Sequence, residues 1–173
     1  MGPLRRIGVI GPNDDACTPE LYDFGLELGT RIAAPERAVV CGGMGGVMEA
    51  VCKGVKKSGI SCLTVGILPH DTPEFANPFI DLPVPTGLGI GRNLVIIHTA
   101  EVVIAAGGGA GTLSELAFAW QRGKSVLCVT RFSGWAKELA GRTLDRRKGG
   151  RLIPVGGIDE ILTHLPPRPL HRE

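Results

Sequence analysis

Two side chains and one backbone turn carry the candidate chemistry. Glu115 closes the run Gly107-Gly108-Gly109-Ala110-Gly111-Thr112-Leu113-Ser114-Glu115, and Arg92 lies 23 residues before it, in Gly89-Ile90-Gly91-Arg92-Asn93. A guanidinium at a loop-to-helix junction can clamp a phosphate with two parallel hydrogen bonds, and it can equally form half of a surface ion pair. A carboxylate beside a phosphate-binding turn can contact a ribose hydroxyl or stabilise an oxocarbenium-like state as a glycosidic bond breaks. Glu115 also has a structural reading. Thr112-Leu113-Ser114-Glu115 has the form of a capping box, with Thr at the N-cap and Glu at N3, whose whole task is to satisfy a backbone N–H. Glu49, Asp71, Glu74 and Asn77 fall near expected strand ends and are weaker candidates; His70 stands alone. There is no Ser-His-Asp or Cys-His arrangement and no zinc-type spacing among the five cysteines. Nor does a G-x-G-x-x-G with a following acidic ribose ligand fit, so NAD is not favoured.

The elements that must position these residues follow from the apolar pattern. Val102-Val103-Ile104 is a short continuous apolar run, as expected for a strand buried on both faces. Leu113, Leu116, Ala117 and Trp120 continue at helical spacing. The glycines therefore sit in a strand-to-helix turn. Four glycines in five residues (Gly107, Gly108, Gly109, Gly111) remove the Cβ atoms that would hold a ligand off the backbone. The unpaired N–H groups of the following helix then form an anion site, most naturally for a phosphate.

The same alternation runs along the rest of the chain. Ile7 to Gly11 is a first buried strand, ended by the turn cluster Gly11-Pro12-Asn13-Asp14-Asp15. Thr18 caps a helix with Pro19 in its first turn, and Pro35 closes it. Ala38 to Cys41 is a second strand, Gly42-Gly43-Met44-Gly45-Gly46 a second glycine turn, and Val47, Met48, Val51 and Val55 the apolar stripe of the next helix. Ile60 to Leu68 is a third strand. Pro69 to Gly91 is irregular, with five prolines, a short edge strand around Phe79-Ile80 or Leu82-Pro83-Val84, and a third glycine-rich loop, Thr86 to Gly91. Helix 94–99 leads back to the strand before Gly107. Val126 to Val129 and Leu152 to Val155 are late strands, and Ile158 to Leu165 a last helix.

This predicts an α/β fold, a doubly wound Rossmann-like and mostly parallel sheet with helices on both faces. Open sheets of this kind take ligands at the carboxyl ends of their strands, where the glycine turns fall. One domain over residues 1–165 and a flexible tail over 166–173 are expected. Seven basic side chains between Arg131 and Arg151 read as a solvated face, with the rim of an anionic ligand as the alternative.

Composition narrows the function. A net charge of +2 and an aromatic share of 5% argue against nucleic acid as a partner. No apolar run approaches the roughly 20 residues of a membrane span. Cysteines 17, 41, 52, 62 and 128 lie mostly in apolar stretches, as free thiols in a reducing cytoplasm would.

With these motifs in hand, the chain resembles the LOG superfamily of Rossmann-like proteins, long mislabelled as lysine decarboxylases. Gly107 to Glu115 resembles the family's PGGxGTxxE signature, with Gly107 in place of the proline and Ser114 where a second glutamate often stands. Gly42 to Met48 resembles its GGxxGxM motif, and Arg92 precedes Glu115 as the family's catalytic Arg precedes its Glu. The basic residue after that Arg is replaced by Asn93. The resemblance implies a phosphoribohydrolase acting on nucleoside 5′-monophosphates, with Arg92 and Glu115 as the catalytic pair. A closer resemblance is to the branch of molybdenum-cofactor carrier proteins, itself distantly related to DprA, through Gly66 to Pro69, Ala76-Asn77-Pro78, Thr86-Gly87, Arg92-Asn93 and Gly107 to Glu115. That branch implies a binding protein and a homo-oligomer, dimer or tetramer, to which Trp120 and apolar helix faces would contribute. The expected ligand site comprises Gly11, Gly43, Met44, Gly45, Gly46, Thr86, Gly87, Asn93, Gly108, Gly109, Ala110, Gly111 and Thr112. No cofactor is required. The expected guest is a molybdopterin-type cofactor or a nucleoside monophosphate, no metal ligand set is expected, and whether the pair cuts its guest stays open.

Overall fold

A computed structural model describes residues 5–146 and 149–165; the expected tail, 166–173, and two residues of the basic segment, Arg147 and Lys148, lie outside the described residues. The strands are β1 (Arg5–Ile10), β2 (Arg37–Cys41), β3 (Leu63–Leu68), β4 (Leu82–Pro85), β5 (Val102–Ala106), β6 (Ser125–Val129) and β7 (Arg151–Val155). The helices are α1 (Pro19–Ile32), α2 (Val47–Lys57), α3 (Arg92–Thr99), α4 (Ala110–Gln121), α5 (Trp135–Leu139) and α6 (Ile158–His164). The strands form one sheet in the order β4-β3-β2-β1-β5-β6-β7, and every neighbouring pair is parallel.

The strand sequences explain the layering. Val9, Val39, Ile104 and Leu127 point into a core with α1, α2 and α6. Their neighbours Ile10, Val40, Val103 and Val126 point into a second core with α3, α4 and α5. Strands apolar on both faces require helices on both faces. The fold is thus the α/β Rossmann-like one expected.

Several local expectations change. β3 begins at Leu63 rather than Ile60, because the register sets Leu63 against Ala38 and β2 has only Arg37 before that. Of the two edge-strand candidates, Leu82–Pro85 pairs and 79–80 does not; Pro83 and Pro85 sit on the outermost strand, where a missing N–H costs no ladder bond. The basic stretch after β6 contains α5, which its charge conceals. Its described basic side chains, Arg131, Lys137, Arg142, Arg146 and Arg151, are exposed. Trp120 is no outer face: it is buried under α4 among Leu116, Val126 and Leu152, and its indole N–H donates to Asp145 Oδ1 at 3.4 Å.

α1 and α2 approach closely because their contact faces carry glycine. A Cβ on Gly54 would fall on the Leu26 carbonyl oxygen of α1 and 3.0 Å from the Thr30 nitrogen. Helix propensity alone would make Gly54→Ala a gain of about 0.5–1 kcal/mol. The backbone clash outweighs it, since overpacking a tight contact costs about 1–3 kcal/mol. Gly54→Ala therefore lowers the urea midpoint; an unchanged or raised midpoint would show that the two helices are free to part.

Candidate functional site

The strand order reverses direction between β1 and β5. At such a switch point the loops leaving neighbouring strands diverge and open a crevice. A cavity of about 400 Å³ lies there, lined by Gly11, Asn13 and Asp15 after β1, Gly42 and Met48 after β2, Pro69 after β3, Ile90, Arg92 and Asn93 at the start of α3, and Gly109, Gly111, Thr112 and Glu115 after β5.

The turn after β5 is built as its sequence suggests. Gly107 and Gly108 have φ of +64° and +95°, and a Cβ on Gly108 would collide with the Thr112 side chain. The helix starts earlier than the capping-box reading places it. Gly109 is the N-cap of α4, with no side-chain cap bond, so Thr112 and Glu115 are both inside the helix. The first ladder bond runs from Leu113 N–H to the Gly109 carbonyl at 3.0 Å. The amides of Ala110, Gly111 and Thr112 precede that ladder, which is the arrangement an anion uses.

Glu115, relieved of capping, is 5% exposed and lines the cavity. Its Oε1 lies 3.9 Å from Arg92 Nη1, with no hydrogen bond between them. Burial pushes its carboxyl up to about 8; the Arg92 charge opposes this without overcoming it. Burial also pulls the Arg92 guanidinium below its usual range, against the attraction of Glu115 and Cys41. Arg92 Nε is buried without a hydrogen-bond partner. Its guanidinium lies against Gly42, where a Cβ would come within 2.6 Å of Nη2. Arg92 Nη1 donates to Asn93 Oδ1. Asn93, 3% exposed, in turn donates through Nδ2 to Ser114 Oγ at 3.0 Å and the Gly111 carbonyl at 3.3 Å. Asn93 thus ties the first turn of α3 to that of α4 and aims Arg92, with both of its amide hydrogens already engaged.

Of the expected ligand residues, Gly11, Arg92, Asn93, Gly109, Gly111, Thr112 and Glu115 come together around the cavity. Gly108 and Ala110 belong to the same turn without lining that cavity. Gly43 to Gly46 turn mainly inward. The Gly43 and Met44 carbonyls accept from Asn77 Nδ2 at 3.2 and 2.8 Å, and Gly46 N–H donates to Asp14 Oδ1 at 2.6 Å. Thr86 and Gly87 fasten the β3–β4 edge: Thr86 Oγ1 donates to the Leu68 carbonyl at 2.7 Å and Gly87 N–H to the His70 carbonyl at 2.9 Å. Gly42, of the second glycine turn, also lines the cavity, together with Asn13, Asp15, Met48, Pro69 and Ile90, which the sequence does not single out as cavity residues. The turn cluster after β1 was a usable signal for Asn13 and Asp15. The cysteines are free thiols, with Cys41 and Cys52 Sγ atoms 3.7 Å apart in the core. Among the described residues no metal-type cluster occurs, and no helix is long and apolar enough to cross a membrane.

A family model described as the SLOG cluster4 family matches residues 4–161. The chain belongs to the SLOG cluster4 family. Among solved structures, that of TM1055, a structural genomics target, superposes with a TM-score of 0.84 at 32% identity, covering 92% of this chain and 97% of that one. The molybdenum cofactor binding protein of Rippkaea orientalis gives 0.78 at 30% identity, with 92% and 94% covered. The molybdenum cofactor carrier protein of Chlamydomonas reinhardtii gives 0.77 at 29% identity, again with 92% and 94% covered. These likenesses run over nearly the whole length of each chain.

Proposed function

We propose that this SLOG cluster4 protein binds a phosphate-bearing, nucleotide-like guest, of the kind named for its molybdenum-cofactor-binding structural relatives, and holds it without cutting it. The observation that carries this reading is the buried Glu115 beside a guanidinium whose Nε has no partner, in a cavity walled by the start of α4. The phosphate lies on the amides of residues 109–112, Arg92 supplies the countercharge, and Glu115, neutral at pH 7, donates a hydrogen bond to the guest.

The 3.9 Å approach of Arg92 to Glu115 also favours a second reading, hydrolysis of a nucleoside 5′-monophosphate to base and ribose 5-phosphate. That chemistry needs an ionised carboxylate against the developing positive charge of the sugar. Burial already holds Glu115 neutral, and an anionic guest raises its proton affinity further. The balance therefore lies with retention. Mass spectrometry of what copurifies with the native protein, with calorimetry on AMP and GMP, tests the reading. Binding with no base released over hours is the expected result. Base release abolished by Glu115→Gln would establish the hydrolase instead. A folded protein that carries no guest and binds neither nucleotide would sink both.

A further inference from the structure

The glycine turn has a second concave side. A cavity of about 440 Å³ opens there, bordered by Thr18 and Glu20 at the start of α1, by Gly108, and by Arg131, Phe132 and Ser133 after β6. The first cavity touches Gly109 and the second Gly108, and Ala16 lines both, so the two lie beside the same turn. Each is within the range of about 300–1,000 Å³ typical of small-molecule sites. Together they follow the carboxyl ends of β1, β5 and β6 across the point where the strand order reverses.

The second cavity is equipped differently from the first. Phe132 is fixed edge-on against Phe24, with centroids 5.1 Å apart, and the Arg131 guanidinium stands 5.5 Å from the centre of its ring. Among the described residues, Arg131 forms no ion pair and the Ser133 hydroxyl no hydrogen bond. Backbone N–H and Thr18 hydrogen bonds keep the Glu20 carboxyl below its ordinary range, hence ionised. The loop is pinned to the turn, since Trp135 and Ala136 N–H groups donate to the Gly108 and Gly107 carbonyls at 3.0 and 3.1 Å. An aromatic wall, a guanidinium without an ion pair, a hydroxyl and a carboxylate are what a second sugar phosphate with a planar group would use. The first cavity, with its buried Glu115 and the partnerless Nε of Arg92, already calls for a guest of its own.

We propose that the ligand has two arms joined by a pyrophosphate, a molecule of dinucleotide type. One arm lies with Arg92 and Glu115, the bridge crosses the turn at Gly108 and Gly109, and the second arm rests on Phe132 with its phosphate on Arg131. This rests on the reading above that the turn holds a phosphate.

The test compares AMP with P1,P2-diadenosine diphosphate by calorimetry, on the parent chain, Ser133→Trp and Arg131→Ala. Thermal melts confirm that both variants fold. The parent is expected to bind the dinucleotide at least tenfold more tightly than AMP. Ser133→Trp fills the second cavity and brings the dinucleotide down to the AMP affinity, leaving AMP itself unchanged; Arg131→Ala does so in part. Equal affinities in the parent, or a dinucleotide affinity indifferent to Ser133→Trp, would overturn the two-armed ligand while AMP binding leaves the single-phosphate site standing. Loss of binding for both probes would remove the single-phosphate reading and this one with it.

Discussion

Glu115→Gln is expected to be more stable than the parent at pH 8 and above, and to bind AMP with an affinity that no longer depends on pH between 7 and 9. The parent carboxyl titrates near 8 when folded, against an ordinary value of 4.5. Between those values the folded chain keeps a proton that the unfolded chain has lost, so stability falls as pH rises through this window. At about 1.4 kcal/mol per pH unit the loss reaches on the order of 4 kcal/mol by pH 8. The glutamine side chain keeps the volume and a hydrogen-bonding amide and has nothing to ionise. Urea melts at pH 5, 7 and 9 read the difference: the parent's stability declines relative to the variant, steeply up to pH 8 and little beyond. Binding moves with the same proton. An anion on the α4 amides favours neutral Glu115, so the parent's AMP affinity drops about tenfold from pH 7 to 9. Parallel pH profiles for parent and variant would show that Glu115 is ionised in the folded protein and would remove the argument for retention over cleavage.

How much of this was legible in the sequence depends on what each residue must satisfy. The run Val102 to Ala106, four glycines and a helical stripe leave one local solution, and the structure has it. The frame of α4 was not legible. Thr112-x-x-Glu115 satisfies the capping-box pattern, yet Gly109 ends the turn in a conformation that starts the helix three residues sooner. With the N-cap at Gly109, Glu115 lies beyond the first turn, and both that frame and its burial separate Glu115 the cap from Glu115 the cavity residue. Glycine runs are ambiguous for a related reason: a missing Cβ makes room for a ligand or for another part of the chain. The turn after β5 leaves room beside a cavity, whereas Gly45 and Gly46 make room for the chain around Asp14, and Gly43 for Leu68 and Gly66. The meeting of Arg92 and Glu115 lies between these cases. β5 separates α3 from α4 in the chain, so no local pattern relates the two residues, and only the resemblance to the LOG enzymes paired them in advance.

Arg92→Ala is expected to weaken AMP binding about 100-fold or more, with Arg92→Lys recovering less than a tenth of the loss. The guanidinium side chain is 15% exposed, is held by Asn93, and has a buried Nε with no partner, so its desolvation has been met before any guest arrives and a bound anion collects the full benefit. A charge-assisted hydrogen bond contributes about 1.5–3 kcal/mol, and a guanidinium can place two on one phosphate. Lysine restores the charge without the fork and cannot donate from the Nε position. The same substitution to alanine removes the cation beside Glu115, and the carboxyl then titrates above 8. Two readouts therefore move together in Arg92→Ala: calorimetry shows the lost affinity, and the pH at which stability stops falling shifts upward. A loss of affinity without the pH shift would mean that Arg92 reaches the phosphate from a position outside the field of Glu115. A pH shift with unchanged AMP affinity would put the phosphate elsewhere, and the α4 turn would no longer be its site.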